Sequence, residues 1–157
     1  MIKKNNKLNS LISSDYDFKK LKIKAIDSDD LTILSSLCQD GIFSVDEIVY
    51  LKEEKKLIAT FSRFCWELKN TLDYGKQVHF RVVTGLQIHN VININYKNFE
   101  KFKNNDFFNL LSITHKSNLI TLNFSLNSSI SVKIQKIKIL LDDLDIPWPT
   151  VKKPIHK

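Results

Sequence analysis

The chain has 157 residues, 43% apolar and 26% charged, enough for one hydrophobic core without disulfides or metals and ordinary for a soluble globular domain. Its formal charge of +7 sits at the ends: residues 1–24 hold seven Lys against Asp15 and Asp17, residues 151–157 hold three more Lys, and the body carries 14 basic against 15 acidic side chains. Because 22 of the 24 basic residues are Lys, with Arg only at 63 and 81, the chain lacks the planar forks that read bases and clamp phosphates, and loose electrostatic attraction to RNA is the stronger expectation for its termini.

Residues 1–19 read as a flexible basic arm, polar and rich in Asn, Lys and Ser. They contain no apolar run of signal-peptide length, the longest being Leu11–Ile12. No stretch anywhere reaches the roughly 18 apolar residues of a membrane span. A single globular antiparallel domain is expected over 20–146, followed by a Pro/Trp strap and basic tail over 147–157.

"LKIKAI" (21–26) alternates apolar and basic residues and predicts a strand with one face inward. "DSDDLTILSSLCQDG" then predicts a short helix. Asp27 or Ser28 caps it, Asp29 and Asp30 favour its positive first turn, Gly41 ends it, and Leu31, Leu34, Leu37 and Cys38 share its apolar face.

From Val45 the period becomes two. "EIVYL" and "LIATFSRFCW" flank "KEEKK" as a hairpin. The second strand is apolar on both faces, Leu57, Ala59 and Phe61 against Ile58, Phe64 and Trp66, which predicts a central position. "ELKNTLDYGKQ" reads as a loop. "VHFRVV" and "LQIHNVININY" read as two strands joined by a tight turn at Thr84–Gly85. "KNFEKFKNN" (97–105) is a polar connection, and "FFNLLSIT", "HKSN", "LITLNFSL" form a second hairpin. In "SISVKIQKIKILLDDLD", Ile130, Val132 and Ile134 share one strand face, while Ile137, Ile139 and Leu141 share one after a phase slip at Gln135–Lys136. A β-bulge absorbs that slip, and the density of β-branched residues favours strands. The alternative is a helical stripe of Ile130, Ile134, Ile137, Leu141 and Leu144. The expected fold is therefore α+β and strand-rich, a single antiparallel sheet or partly closed barrel or sandwich of about seven to eight strands with one N-terminal helix.

Few chemistries find their residues. The three glycines, Gly41, Gly75 and Gly85, stand in no phosphate-cradling loop. The four histidines, His79, His89, His115 and His156, show no metal-ligand spacing, although His79 and His89 could meet across a sheet. Cys38 and Cys65 read as reduced thiols in a cytoplasmic setting. No metal and no cofactor is expected, and enzyme signatures are weak throughout.

Two stretches stand out. "RFCWE" (63–67) gathers a charge pair, two aromatics and a thiol at one strand end. "DIPWPTVKKPIHK" holds all three prolines, Pro147, Pro149 and Pro154, so that Trp148 rides on a stiff, extended strap. With "LKIKAIDSDDLTILSSLCQDGIF" these stretches resemble a small alphaproteobacterial family, the domain-of-unknown-function 2948 family. Its D-L-x-x-x-S-x-L-x-Q-D helix corresponds to Asp30, Leu31, Ser35, Leu37, Gln39 and Asp40. Its R-F-x-W-E strand corresponds to Arg63, Phe64, Trp66 and Glu67, and its P-W-P-T-x-x-x-P-x-H tail to Pro147, Trp148, Pro149, Thr150, Pro154 and His156. The resemblance spans about residues 20–156 and implies a cytoplasmic bacterial setting but no activity. The arm 1–18 looks like an extension, and Lys replaces the family's Arg in the tail.

The functional expectation is a non-enzymatic protein-interaction module that binds a protein partner through Arg63, Trp66, Glu67, Pro147, Trp148, Pro149 and His156, with no membrane contact. The partner's identity and the oligomeric state are not encoded legibly. The alternatives are an RNA- or ribosome-associated protein using its Lys-rich termini, and an enzyme of unknown class with a pocket near Trp66 and His79.

Overall fold

A computed structural model describes residues 18–68, 71–73, 76–150 and 152–155. Most of the basic arm, residues 1–17, lies outside them, as do Gly75 and His156. The class is as expected, strand-rich and antiparallel with one α-helix among the described residues, but the strands number twelve rather than seven or eight. They are β1 (Lys22–Ala25), β2 (Ile42–Ser44), β3 (Ile48–Leu51), β4 (Lys56–Phe64), β5 (Thr71–Asp73), β6 (Lys76–Ile88), β7 (Val91–Lys97), β8 (Phe107–Lys116), β9 (Leu119–Phe124), β10 (Ser128–Ile134), β11 (Ile139–Asp143) and β12 (Trp148–Thr150), with helix α1 (Ser28–Cys38) between β1 and β2.

All ladders are antiparallel and run β1-β11-β6-β4-β2-β8-β9-β10-β7, with β3 added to β4 and β5 and β12 to β6. The chain crosses from the first half of this sheet to the second at His89–Asn90 and returns at 135–138, where His89 N–H donates to the Lys138 carbonyl (2.9 Å) and Gln135 N–H to that of Asn90 (3.0 Å). Both halves turn alternate residues into one core, including Leu57, Ala59 and Phe61 of β4, Leu86 and Ile88 of β6, Leu122 and Phe124 of β9, and Ile130 and Val132 of β10. Helix α1 adds Leu31, Leu34 and Cys38 to it. Asp27 is its N-cap, accepting from Asp30 N–H at 2.8 Å, while the Asp30 carboxylate accepts from Ile26 N–H at 3.0 Å.

Several local expectations are corrected. The glycine at 85 makes no turn: β6 runs straight through Thr84–Gly85, and the reversal comes at Asn90, whose φ is 58°. Gly85 is small because Leu144 lies over it; a Cβ there would stand 3.4 Å from the Leu144 Cδ1. The "ELKNTLDYGKQ" loop contains β5, which pairs with the start of β6. Ser128–Ile134 and Ile139–Asp143 are strands, as favoured over the helix; the β10–β7 register shifts between Lys133 and Ile134, and the chain then crosses between the halves at 135–138. His79 lies on β6 and His89 just past its end, so they cannot face each other across a sheet.

Helix α1 ends on Asp40 in the left-handed conformation (φ 63°), not on Gly41. Gly41 serves the core: a Cβ would meet the Phe61 ring at 2.7 Å, and that ring is itself stacked on Phe43 at 4.3 Å. Gly41→Ala is therefore expected to destabilise the fold by about 1–3 kcal/mol through overpacking, read as a lowered urea midpoint. An unchanged midpoint would mean the Phe61–Phe43 stack shifts freely.

Candidate functional site

Strand β6 is the axis of the site. On one side it pairs with β4 and then β5; on the other it pairs with β11 and then β12. Each neighbour is interrupted once. Between Asp143↔Thr84 and Trp148↔Arg81 the outer strand advances five residues while β6 advances three. The two inserted residues leave Asp143 facing inward and Trp148 outward. Between Phe64↔Arg81 and Thr71↔Val78 the chain advances seven against three. Both breaks fall beside residues 78–84 of β6, where the main core gives way to a smaller cluster of Cys65, Phe80 and Val82, with Phe18, Leu68 and Val78 against it.

A polar cluster joins the two breaks. Arg63 occupies the inward position after Leu57, Ala59 and Phe61 and is 0% exposed. Its guanidinium makes a fork to Asp143, Nε to Oδ1 at 3.2 Å and Nη2 to Oδ2 at 2.9 Å. A second fork goes to Glu67, Nη1 to Oε2 and Nη2 to Oε1, both at 2.9 Å. The Thr84 hydroxyl of β6 donates to Asp143 Oδ1 (2.9 Å), and Leu21 N–H to Oδ2 (2.9 Å). Burial pulls the Arg63 pKa down, but the hydrogen bonds and charges of Glu67 and Asp143 outweigh it and hold the guanidinium more firmly protonated than usual. The Arg63–Glu67 charge pair of the sequence is thus present, with Glu67 at the surface, and Arg63 makes a second, fully buried pair with Asp143 across β4, β6 and β11.

The thiols lie close by and are inert. Burial pushes Cys38 and Cys65 up to about 12 each, with neighbouring Arg63 only partly opposing it. Native protein at pH 8 is expected to react with a thiol reagent at well under a tenth of its rate in denaturant. Fast native labelling would show that the packing around one thiol opens readily.

On the opposite, outward face the same strands bring together the two stretches noted in the sequence. Trp66 packs on Phe64 (ring centroids 4.5 Å) and donates its indole N–H to the Gln39 carbonyl (2.8 Å). His79 lies 5.7 Å from the Phe64 ring, and the Arg81 guanidinium 5.5 Å above it. Arg81 reaches on to the carbonyls of Ser62 (3.1 Å) and Asp40 (3.3 Å); burial pulls its pKa down, with Asp40 opposing. Phe64, Arg81 and Trp148 stand side by side across β4, β6 and β12, and Trp148 is 39% exposed. Pro147 is buried, Pro149 half-buried, and Lys152 and Lys153 are exposed.

Of the residues singled out in the sequence, the fold gathers Trp66 and Trp148 around one outward face, while Pro149, paired with Phe80, turns to the inner side. Arg63 is turned into the interior, Glu67 reaches it from the surface, and His156 lies outside the described residues. Asp143, Thr84 and Arg81 were not anticipated as site residues, and His79 was named only beside Trp66 in the enzyme alternative. A carboxylate at the third inward position of "ILLDD" was the available signal, since an inward charge requires a partner. A separate groove of about 280 Å³ lies between the start of α1 (Ser28, Leu31, Thr32) and β8 (Ile113, Thr114, His115), away from Trp66 and His79. Among the described residues no group of His, Cys, Asp and Glu could hold a metal ion, and no helix is long and apolar enough to cross a membrane. Several residues of the sequence motifs converge here: Gln39 and Asp40 end the helix against Trp66 and Arg81, and Arg63 bridges Glu67 and Asp143 just ahead of the strap, whereas Ser35 Oγ accepts from Ile113 N–H (2.8 Å) on the groove side of α1. A family model described as "Protein of unknown function (DUF2948)" matches residues 21–156. No curated protein and no solved structure matches the chain.

Proposed function

We propose a function from one premise, that the chain belongs to the DUF2948 family: it is a non-enzymatic protein-interaction module of the cytoplasm, docking a partner at the Trp148 end of its outward sheet face. The observation that carries this reading is the meeting of Trp66 and Trp148, 82 residues apart, on either side of His79 and Arg81. A half-exposed indole held on a rigid strand, beside a cation and a second aromatic, has the composition of a binding hot spot. Both arginines are committed to internal acceptors, which weakens the case for nucleic-acid readout.

The test is affinity capture of the tagged full chain from its own cells, with and without nuclease, beside Trp148→Ala. A partner that survives nuclease and is lost with Trp148→Ala is expected. The variant should stay folded, losing no more than about 1 kcal/mol, because the side chain is half in solvent. A second reading, RNA association, is favoured by the exposed Lys19, Lys20, Lys22 and Lys24 and by Lys152 and Lys153. It predicts nuclease-sensitive capture that is indifferent to Trp148→Ala, falls steeply with salt and disappears when residues 1–20 and 151–157 are removed.

A further inference from the structure

The two halves of the sheet present very different outward faces. On β8-β9-β10-β7 the cross-strand rows read Thr114–Thr121–Ser131–Asn95 and Ser112–Asn123–Ser129–Lys97, and in the next row the exposed Leu119 stands between Lys116 and Lys133, a mostly polar surface. On β11-β6-β4-β3 one row reads Leu140–Gln87–Ile58–Val49; in the next, Asp142–Gly85–Thr60, Leu144 lies over Gly85, and further along are Val83 and, on β12, Trp148. Val49 is 47% and Leu144 53% exposed. Contiguous apolar side chains on a sheet face open to solvent mark an interaction surface.

Its dimensions and charge indicate the occupant. Four strands set about 4.8 Å apart make the face ~14 Å wide, and the seven residues from Arg81 to Gln87 make it ~20 Å long. That footprint fits one helix, about 10–12 Å across and ~13 residues long. The rim holds more cations than anions: Lys22 and Lys24 on β1, Lys56 at the start of β4, Lys52 and Lys55 in the β3–β4 turn and Lys138 beside His89, against Glu53 and Glu54 in that turn, Asp142 opposite Lys22 and Asp145 in the break before β12. Two copies of this face would bring like charges together, whereas an acidic flank would complement it.

We infer that the outward face of β3-β4-β6-β11 docks an amphipathic helix of another protein, apolar side down and acidic on its flanks. This rests on the interaction-module reading and extends it from the Trp148 end over the whole half-sheet.

Two labelled helical peptides of about four turns, mixed with the full chain and followed by fluorescence anisotropy, test it. Both carry Leu at i, i+3, i+4 and i+7; one is flanked by Glu and the other by Lys. The Glu-flanked peptide should bind at least ~tenfold more tightly, and less so as salt rises. Val49→Ser with Leu140→Ser should weaken it ~tenfold, while Ser131→Ala on the other face leaves it unchanged. If the double variant fails to fold, Lys24→Glu replaces it and should narrow the preference between the peptides. Equal binding of the two peptides, no binding, or an equal effect of Ser131→Ala overturns the inference. So does cosedimentation with phosphatidylserine vesicles in place of peptide preference, or self-association through this face. A partner captured through Trp148 while neither peptide binds would overturn it and leave the interaction-module reading standing.

Discussion

Asp143→Ala is expected to cost about 3–5 kcal/mol, because it strands a buried guanidinium. Arg63 has no exposed surface, and Asp143 supplies one of its two forks as well as the acceptor for Thr84 and Leu21 N–H. For a domain of this size the loss corresponds to roughly 6–20 °C in melting temperature, readable by calorimetry or by a urea midpoint. Glu67→Gln should cost clearly less, since Glu67 is 28% exposed and water can replace part of what it provides. Arg63→Lys should not rescue function of the cluster, as one ammonium cannot serve two carboxylate forks. Replacing Arg63 by Met together with Asp143→Leu should recover much of the loss, because the penalty lies in the unpaired charge rather than in the missing attraction. A loss below about 1 kcal/mol for Asp143→Ala would mean that β11 is not held to β4 in this way.

The second large effect is expected at Phe108, where Phe108→Ala should cost about 3–5 kcal/mol. Phe108 is a buried hub of rings: Phe102 stacks on it at 4.6 Å, Phe124 and Phe99 meet it edge-on at 4.9 and 5.5 Å, and Phe43 lies 6.5 Å away. These partners come from β2, β9 and the connection between β7 and β8, so the ring ties a loop to both halves of the sheet. Hydrogen exchange should therefore quicken in residues 98–106 as well as in β8. Faster exchange confined to β8 would show that the connection holds without Phe108.

That connection illustrates what the sequence could and could not reveal. "KNFEKFKNN" reads as polar because seven of its nine residues are, yet Phe99 and Phe102 return to the core. The β3–β4 and β8–β9 hairpins were legible because each strand keeps period two over enough residues to outweigh chance. The start of α1 was legible because a local carboxylate caps it. Strands β2, β5 and β12 have three residues each, too few for any period, and exist because longer neighbours offer them an edge. Gly85 misled because glycine more often marks a turn than a contact with a distant leucine. Arg63 could not be placed from its neighbours: its alternation assigns it to the inward face, but arginine is so seldom fully buried that a rim position was the natural reading. The shared face of Trp66 and Trp148 depends on β6 as a common partner of both, a relation carried by register and invisible to local pattern.

The position of β6 also sets an order of events during synthesis. One of its flanks, β4, is made before it, but the other, β11 and β12, follows some fifty residues later, and β1 must wait to pair with β11. A nascent chain that has reached β10 therefore carries thirteen residues of strand with one unpaired edge, beside the aromatic end of β4. Such an edge is a template for pairing with other chains. The Asp143 fork and the Trp148 strand are then the closing pieces that retire it, and a ribosome stalled between residues 100 and 138 should display a species that chaperones hold and completed chains do not.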